Sequence, residues 1–210
     1  MGKSSLMTAE PVTRQDQVLQ AAARCFVEEG FHGASMSRIA KAAGMSPGHI
    51  YHYFESKEAI ISDIVRREEI DARAFFDQFR ECSPSELISN LMSCVEEGVQ
   101  SNTDTFHSVL MLEILAEAAR SSKVMTIVQE VDKELRDNFA NTLKERLDLE
   151  DAHGRVEVMF ALFTGLAIRI IRNPGLDRTR ITHHMRQVLS NLLTQSNEDE
   201  REHLSVASNA

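Results

Sequence analysis

Apolar residues recur at three- and four-residue intervals along almost the whole chain, and no segment alternates convincingly with period two. That spacing commits the backbone to amphipathic helices rather than to a sheet, so the expected fold class is all-α. The four prolines agree, because each stands where a helix should begin or stop. Ser46-Pro47 and Ser83-Pro84 place a capping hydroxyl before a proline at the first helical position, and Glu86 completes a capping box with Ser83. Pro11 precedes the first periodic segment, and Asn173-Pro174-Gly175 is a helix stop followed by a turn.

Helices are expected near residues 13–29, 37–43, 46–54, 56–80, 84–100, 104–119, 122–147, 151–172 and 179–195. The first has Val18, Ala21, Ala22, Cys25 and Phe26 on one face and ends at Gly30. The fourth, a rod of roughly 36 Å at about 1.5 Å per residue, is apolar at its ends (Ile60, Ile61, Ile64; Phe75, Phe76, Phe79) and charged at Arg66-Arg67-Glu68-Glu69. One helix gripped at its two ends by different cores would carry that pattern.

The 210 residues hold 23 Lys+Arg against 32 Asp+Glu, a net charge of -9. Taken whole, this argues against a nucleic-acid partner. The charge is unevenly spread, however. Residues 1–60 carry six basic and six acidic side chains, and residues 33–57 carry Arg38, Lys41 and Lys57 against Glu55. The acidity belongs to the remainder, where it favours solubility and would repel DNA from the wrong face.

Other classes find little support. Three cysteines without a CxxC make neither a disulfide framework nor a zinc site, so a reduced, cytoplasmic protein is expected. Residues 1–12 lack a secretory pattern, and the longest uncharged apolar stretch, 158–168, is far shorter than the roughly 20 residues that span a bilayer. No membrane partner is expected. A nucleophile elbow, an HExxH and paired ExxH ligands are all missing, and the adjacent His183 and His184 point different ways on a helix. No catalytic residue, metal or cofactor is expected.

The informative segment is 33–57, GASMSRIAKAAGMSPGHIYHYFESK. A helix, a turn centred on Gly44 and a second helix make a helix-turn-helix, whose second helix enters the major groove. Both tyrosines of the chain, Tyr51 and Tyr53, lie there beside His49 and His52, supplying donors for phosphate oxygens and base edges. Lys57 opens the next helix, where its charge and the free amides suit a phosphate.

These residues carry a resemblance. Phe26, Gly30-Phe31, Ile39-Ala40, Ala43-Gly44, Ser46, Gly48, Ile50-Tyr51, Tyr53-Phe54 and Ser56-Lys57-Glu58 make the segment resemble the DNA-binding domain of TetR-family transcriptional regulators. The resemblance implies a homodimer on a palindromic double-stranded operator, acting as a repressor released by a small-molecule effector. It also implies that Tyr51, Tyr53 and Lys57 bind phosphates while Ser35, Ser37, Arg38, Ser46, Gly48 and His49 lie near the duplex, with His52 beside them. Position 49 is commonly Thr, Ser or Ala in that family, and this second helix has no Arg, Lys, Asn or Gln to read a purine. Specificity is then expected to lean on His49, on Arg38 and on DNA shape. The division expected is an arm at 1–12, the DNA-binding domain at 13–58, a ligand-binding and dimerisation domain at 59–195, and a polar tail at 196–210.

For the dimer, the penultimate helix offers the near-heptad stripe Val156, Phe160, Phe163, Ala167 and Ile170, and the last helix offers Ile181, Met185, Val188 and Leu192. A helix apolar on several faces must be covered on several sides, which suggests a two-fold four-helix interface. For the effector, Phe75, Phe79, Phe106, Leu110, Met111, Met159 and Phe163 are candidates for an apolar cavity. Glu113 interrupts the apolar run 106–115 and would be costly if buried unpaired. It has three alternatives: pairing with Arg169 or His107, holding a cationic effector, or facing solvent with Glu117 and Arg120. A different reading of the back half is recruitment of a protein partner without any small molecule.

Overall fold

The computed structural model describes residues 13–194, so the expected arm at 1–12 and tail at 196–210 lie outside the described residues. Nine helices and no strand occur among them: α1 (Arg14–Gly33), α2 (Met36–Ala42), α3 (Pro47–Ile50), α4 (Lys57–Asp77), α5 (Pro84–Asn102), α6 (Thr105–Ala118), α7 (Ser122–Leu147), α8 (Ala152–Arg172) and α9 (Arg178–Thr194). The all-α class read from the periodicity is the class observed.

Local chemistry sets most boundaries. Thr13 and Asp16 form a capping box on α1, and Ser83 and Glu86 form one on α5. Burial works against ionisation of Asp16, but hydrogen bonds from Thr13 and the Arg67 guanidinium outweigh it and hold the carboxyl below its ordinary value. Ser46 occupies the N-cap of α3 without the expected side-chain hydrogen bond. Gly30 does not end α1 but kinks it, with φ 73° and ψ 162°, and the chain resumes helical turns to Gly33.

Two compact units emerge, one holding residues up to Ala74 with Asp104–Leu135, the other Phe75–Thr103 with residues from Arg136 onward. In the first, Val18, Leu19, Phe26, Ile39, Ile50, Ile60 and Ile64 are joined in the core by Leu110, Ile114 and Ala118 of α6 and Val124 of α7. This differs from the expected self-contained unit at 13–58. Three short helices bury too little apolar surface alone, and α6 packs on α1 to complete the core. The second core gathers Phe79, Leu87, Val99, Phe139, Leu143, Val156, Met159, Met185 and Leu189. α4 gives Ile60, Ile61 and Ile64 to the first core and its Phe75 and Phe76 pack on the second, while α7 likewise contributes to each.

The dimer stripe expected from the sequence needs correction. Val156, Ala167, Ile170 and Met185 are all buried in the single chain, so they have no surface to give a partner. Phe160, Ile181 and Leu192 are half-buried, as is Phe163, whose ring lies against Gly98. Only Val188 of the nine is exposed. Heptad spacing marks an apolar face but does not say which of two such faces turns inward. α8 packs against α5 and α9, with Val156, Phe160 and Phe163 in the second core, leaving Val158, Ile168 and Ile171 exposed with Ala161 beside them.

Candidate nucleic-acid interface

The reading unit is built on a very short helix. α3 spans only Pro47–Ile50, less than half the length expected, and continues as tight turns in which Tyr53 N–H and Phe54 N–H both donate to the Ile50 carbonyl at 3.0 Å. A helix this short is unstable alone. It is held by Ile50, fully buried, and by Phe54 four residues on. Gly44, with φ 68°, makes the turn from α2 that an L side chain would strain. Anchored in this way, Ser46, Pro47, Gly48, His49, Tyr51 and His52 are all exposed.

The ten predicted DNA-contact residues divide accordingly. Ser35, Ser37, Arg38, Ser46, Gly48, His49, Tyr51 and His52 are exposed, whereas Tyr53 and Lys57 are half-buried. Ser35 caps α2, accepting from the Arg38 N–H at 3.2 Å, and its hydroxyl lies 3.1 Å from that of Ser37. The Tyr53 ring packs against His49, centroids 5.5 Å apart. Two of these side chains already have partners within the chain. The Arg38 guanidinium is bound to Glu29, Nε donating to Oε1 at 2.6 Å, so part of its fork is already committed. The Lys57 ammonium donates to the Phe31 carbonyl and sits 4.3 Å from the centre of the Phe31 ring. This contact joins α4 to the bend in α1.

The same bend explains Glu113. With Gly30 outside helical geometry, the Phe31 N–H leaves the α1 ladder and donates to Glu113 Oε2 at 3.1 Å. One turn along α6, the buried Glu117 lies 3.5 Å from His32 Nε2. Of the alternatives left open for Glu113, none named this partner: the carboxylate accepts from a backbone donor, because the kink frees one that a buried environment requires to be paired. The sequence marks the carboxylate but not its partner, 82 residues away. Glu113→Ala is expected to lower the melting temperature in circular dichroism by about 2–12 °C, following ~1–3 kcal/mol for an orphaned donor at ~2–4 °C per kcal/mol. Glu113→Gln, which keeps an acceptor, loses less. Equal melting of Glu113→Ala and the parent protein would show that the bond contributes nothing.

The predicted effector residues separate. Phe106, His107, Leu110, Met111 and Glu113 belong to the first unit; Phe75, Phe79, Met159, Phe163 and Arg169 belong to the second. Phe79, Leu110 and Met159 are core residues of their units, and Phe106 and Arg169 are exposed. In the second unit Phe76 stacks on Phe139 at 4.3 Å and approaches Phe160 at 6.0 Å, an aromatic cluster that helical spacing alone does not single out. No described helix is long and apolar enough to cross a membrane.

Comparison with known proteins places this geometry. The family model for bacterial regulatory proteins of the tetR family matches residues 18–64, and that for the C-terminal region of BetI-type transcriptional repressors matches residues 89–194. The chain is 37% identical over 140 residues to the HTH-type transcriptional regulator UidR of Escherichia coli, covering 62% of this chain and 69% of that one. It is 31% identical over 164 residues to the regulator BetI of Rhizobium meliloti, covering 76% and 78%. Among solved structures, Salmonella enterica GusR is 27% identical with a TM-score of 0.64, covering 89% of this chain and 98% of that one. The fatty acid degradation regulator FadR of Bacillus halodurans shares the fold at 22% identity and a TM-score of 0.68, covering 86% and 96%. A kinked α1, a Gly-turned helix-turn-helix and these matches at both ends of the described chain lead to one conclusion: the protein belongs to the TetR family and is a DNA-binding transcriptional regulator, not an enzyme.

Proposed function

We propose that the protein is a homodimeric repressor that binds a palindromic operator in the cytoplasm and is released by a small-molecule effector. The observation that carries the dimer is the exposed apolar face of α8, formed by Val158, Ile168 and Ile171 with Ala161, together with exposed Val188 on α9. Gly165 adds open space, with nothing within 4 Å of the position a side chain would take. Exposed apolar side chains of this kind call for a partner, and an isologous pairing presents two heads to two half-sites. Repression is supported by the repressor description of the C-terminal family model.

The proposed effector is apolar or aromatic, matching the phenylalanine cluster of the second unit. α4 links the chemistry of the two cores, because one continuous helix is buried in the first at Ile60–Ile64 and packed in the second at Phe75 and Phe76. The effector must bind the released state more tightly, by about 1–3 kcal/mol of coupling.

Fluorescence anisotropy with duplexes taken from the DNA flanking its own coding region tests this reading. Two chains per duplex are expected, with binding relieved by a compound found through thermal-shift screening. One chain per duplex, or binding that every stabilising compound leaves intact, overturns it. Gly48→Ala separates contact from folding. Nothing lies within 4 Å of a Cβ built there, so the fold tolerates the methyl, and removing a helical glycine gains up to about 1 kcal/mol. The same methyl stands between backbone and phosphates, and affinity is expected to fall about tenfold, the equivalent of ~1.4 kcal/mol.

A further inference from the structure

We propose that His49 and His52 form a proton-accepting pair, so that the protein takes up a proton from solution as it binds DNA. The two residues are three apart on the reading segment and therefore share a face. Both are exposed, and their rings meet edge to face with centroids 5.8 Å apart. Imidazole is the side chain whose charge ordinarily changes between pH 5 and 8.

The contrast with other histidines points to the source of the counter-charge. His32 lies 3.5 Å from Glu117, and His153 lies 3.6 Å from Asp137. Neither His49 nor His52 has a carboxylate partner among the described residues. On α2, which packs against α3, the charged side chains are Lys41 and Arg38, and Arg38 is already paired with the Glu29 carboxylate of α1. In the segment that follows, Glu55 faces Lys123 at 3.4 Å, Lys57 is held on Phe31, and Glu58 is hydrogen-bonded to its own backbone N–H and to Ser56. Tyr53, the remaining titratable neighbour, packs its ring on His49, and Tyr51 is exposed. The free head therefore offers no spare anion to an imidazolium.

A duplex supplies what is missing, with about one phosphate charge per 1.7 Å of axis. A nearby anion favours the charged form of an imidazole. The complex then holds more protons than its separated components, and by linkage the affinity is greatest at low pH and is lost as pH rises. One proton bound per association corresponds to at most about tenfold in the dissociation constant per pH unit. The inference rests on the DNA-binding role of the head, not on any particular operator, because the anions are backbone phosphates.

Calf-thymus duplex DNA at low salt is the probe. Between pH 6 and 8, at constant ionic strength, the dissociation constant should weaken about tenfold or more, and the double variant His49→Gln with His52→Gln should bind with no pH slope. His32→Gln, whose partner carboxylate is internal, should keep the slope. Should the double variant fail to fold or bind, isothermal titration of the unmodified protein at pH 7, in buffers of different ionisation enthalpy, counts the protons directly. An uptake approaching one proton supports the pair. A flat profile, no proton uptake, or a slope surviving in the double variant overturns it. Absence of any binding heat or anisotropy change would instead strike at the DNA-binding role itself.

Discussion

Ile168→Asp should convert the protein to a monomer and weaken operator binding by roughly 10²-fold or more, the avidity lost when two linked heads become one. Ile168 is 45% exposed on α8, so its replacement removes little from the chain's own core. In a dimer covering that face, each chain would bury a new carboxylate in an apolar interface without a partner. Light scattering reads the mass and anisotropy reads the affinity. Melting of the isolated chain should change little, which separates this outcome from unfolding. A dimer of unchanged mass in Ile168→Asp would remove α8 from the interface.

Ile50→Ala should cost about 2–5 kcal/mol of stability and most of the DNA affinity together. The side chain is fully buried in the first core, on a four-residue helix that cannot hold itself. Its loss leaves a cavity beneath the exposed run that begins at Ser46, and the reading residues lose their common anchor. Ile50→Val, expected to cost about 0.5–1.5 kcal/mol, should retain most binding. The pair distinguishes a graded packing loss from removal of a contact residue, because neither substitution alters a surface that DNA touches. Chemical denaturation and anisotropy on the same samples check it.

These effects trace to residues of two kinds. Ile50 and Phe54 are legible as core beside Tyr51 and His49 as surface, because four-residue spacing in a helical segment is enough to assign its faces. Lys57 and Glu113 are not. Both are polar residues at positions where solvent, phosphate or ligand is a reasonable partner. Each instead finds the backbone of Phe31, whose N–H is freed by the Gly30 kink and whose carbonyl lies in the last turn of α1. The charge of Arg38 suggests a DNA contact, yet the Glu29 carboxylate that shares it lies nine residues earlier, on another helix. Polar partners are set by where helices cross, which local spacing does not encode.

The sequence by itself determined the nine helices found among the described residues, the capping box of α5, the helix-turn-helix and the outward face of its second helix. Those follow from periodicity, proline placement and glycine, which act within a few residues. The tertiary structure decided that α6 completes the core under α1, that α4 and α7 serve two cores, and that the apolar stripe from Val156 to Ile170 turns inward while Ile168 and Ile171 stay exposed. Those outcomes depend on which faces meet between residues far apart in the chain. A helix apolar on several sides has several equivalent ways to satisfy its own pattern, and only packing against its neighbours selects among them.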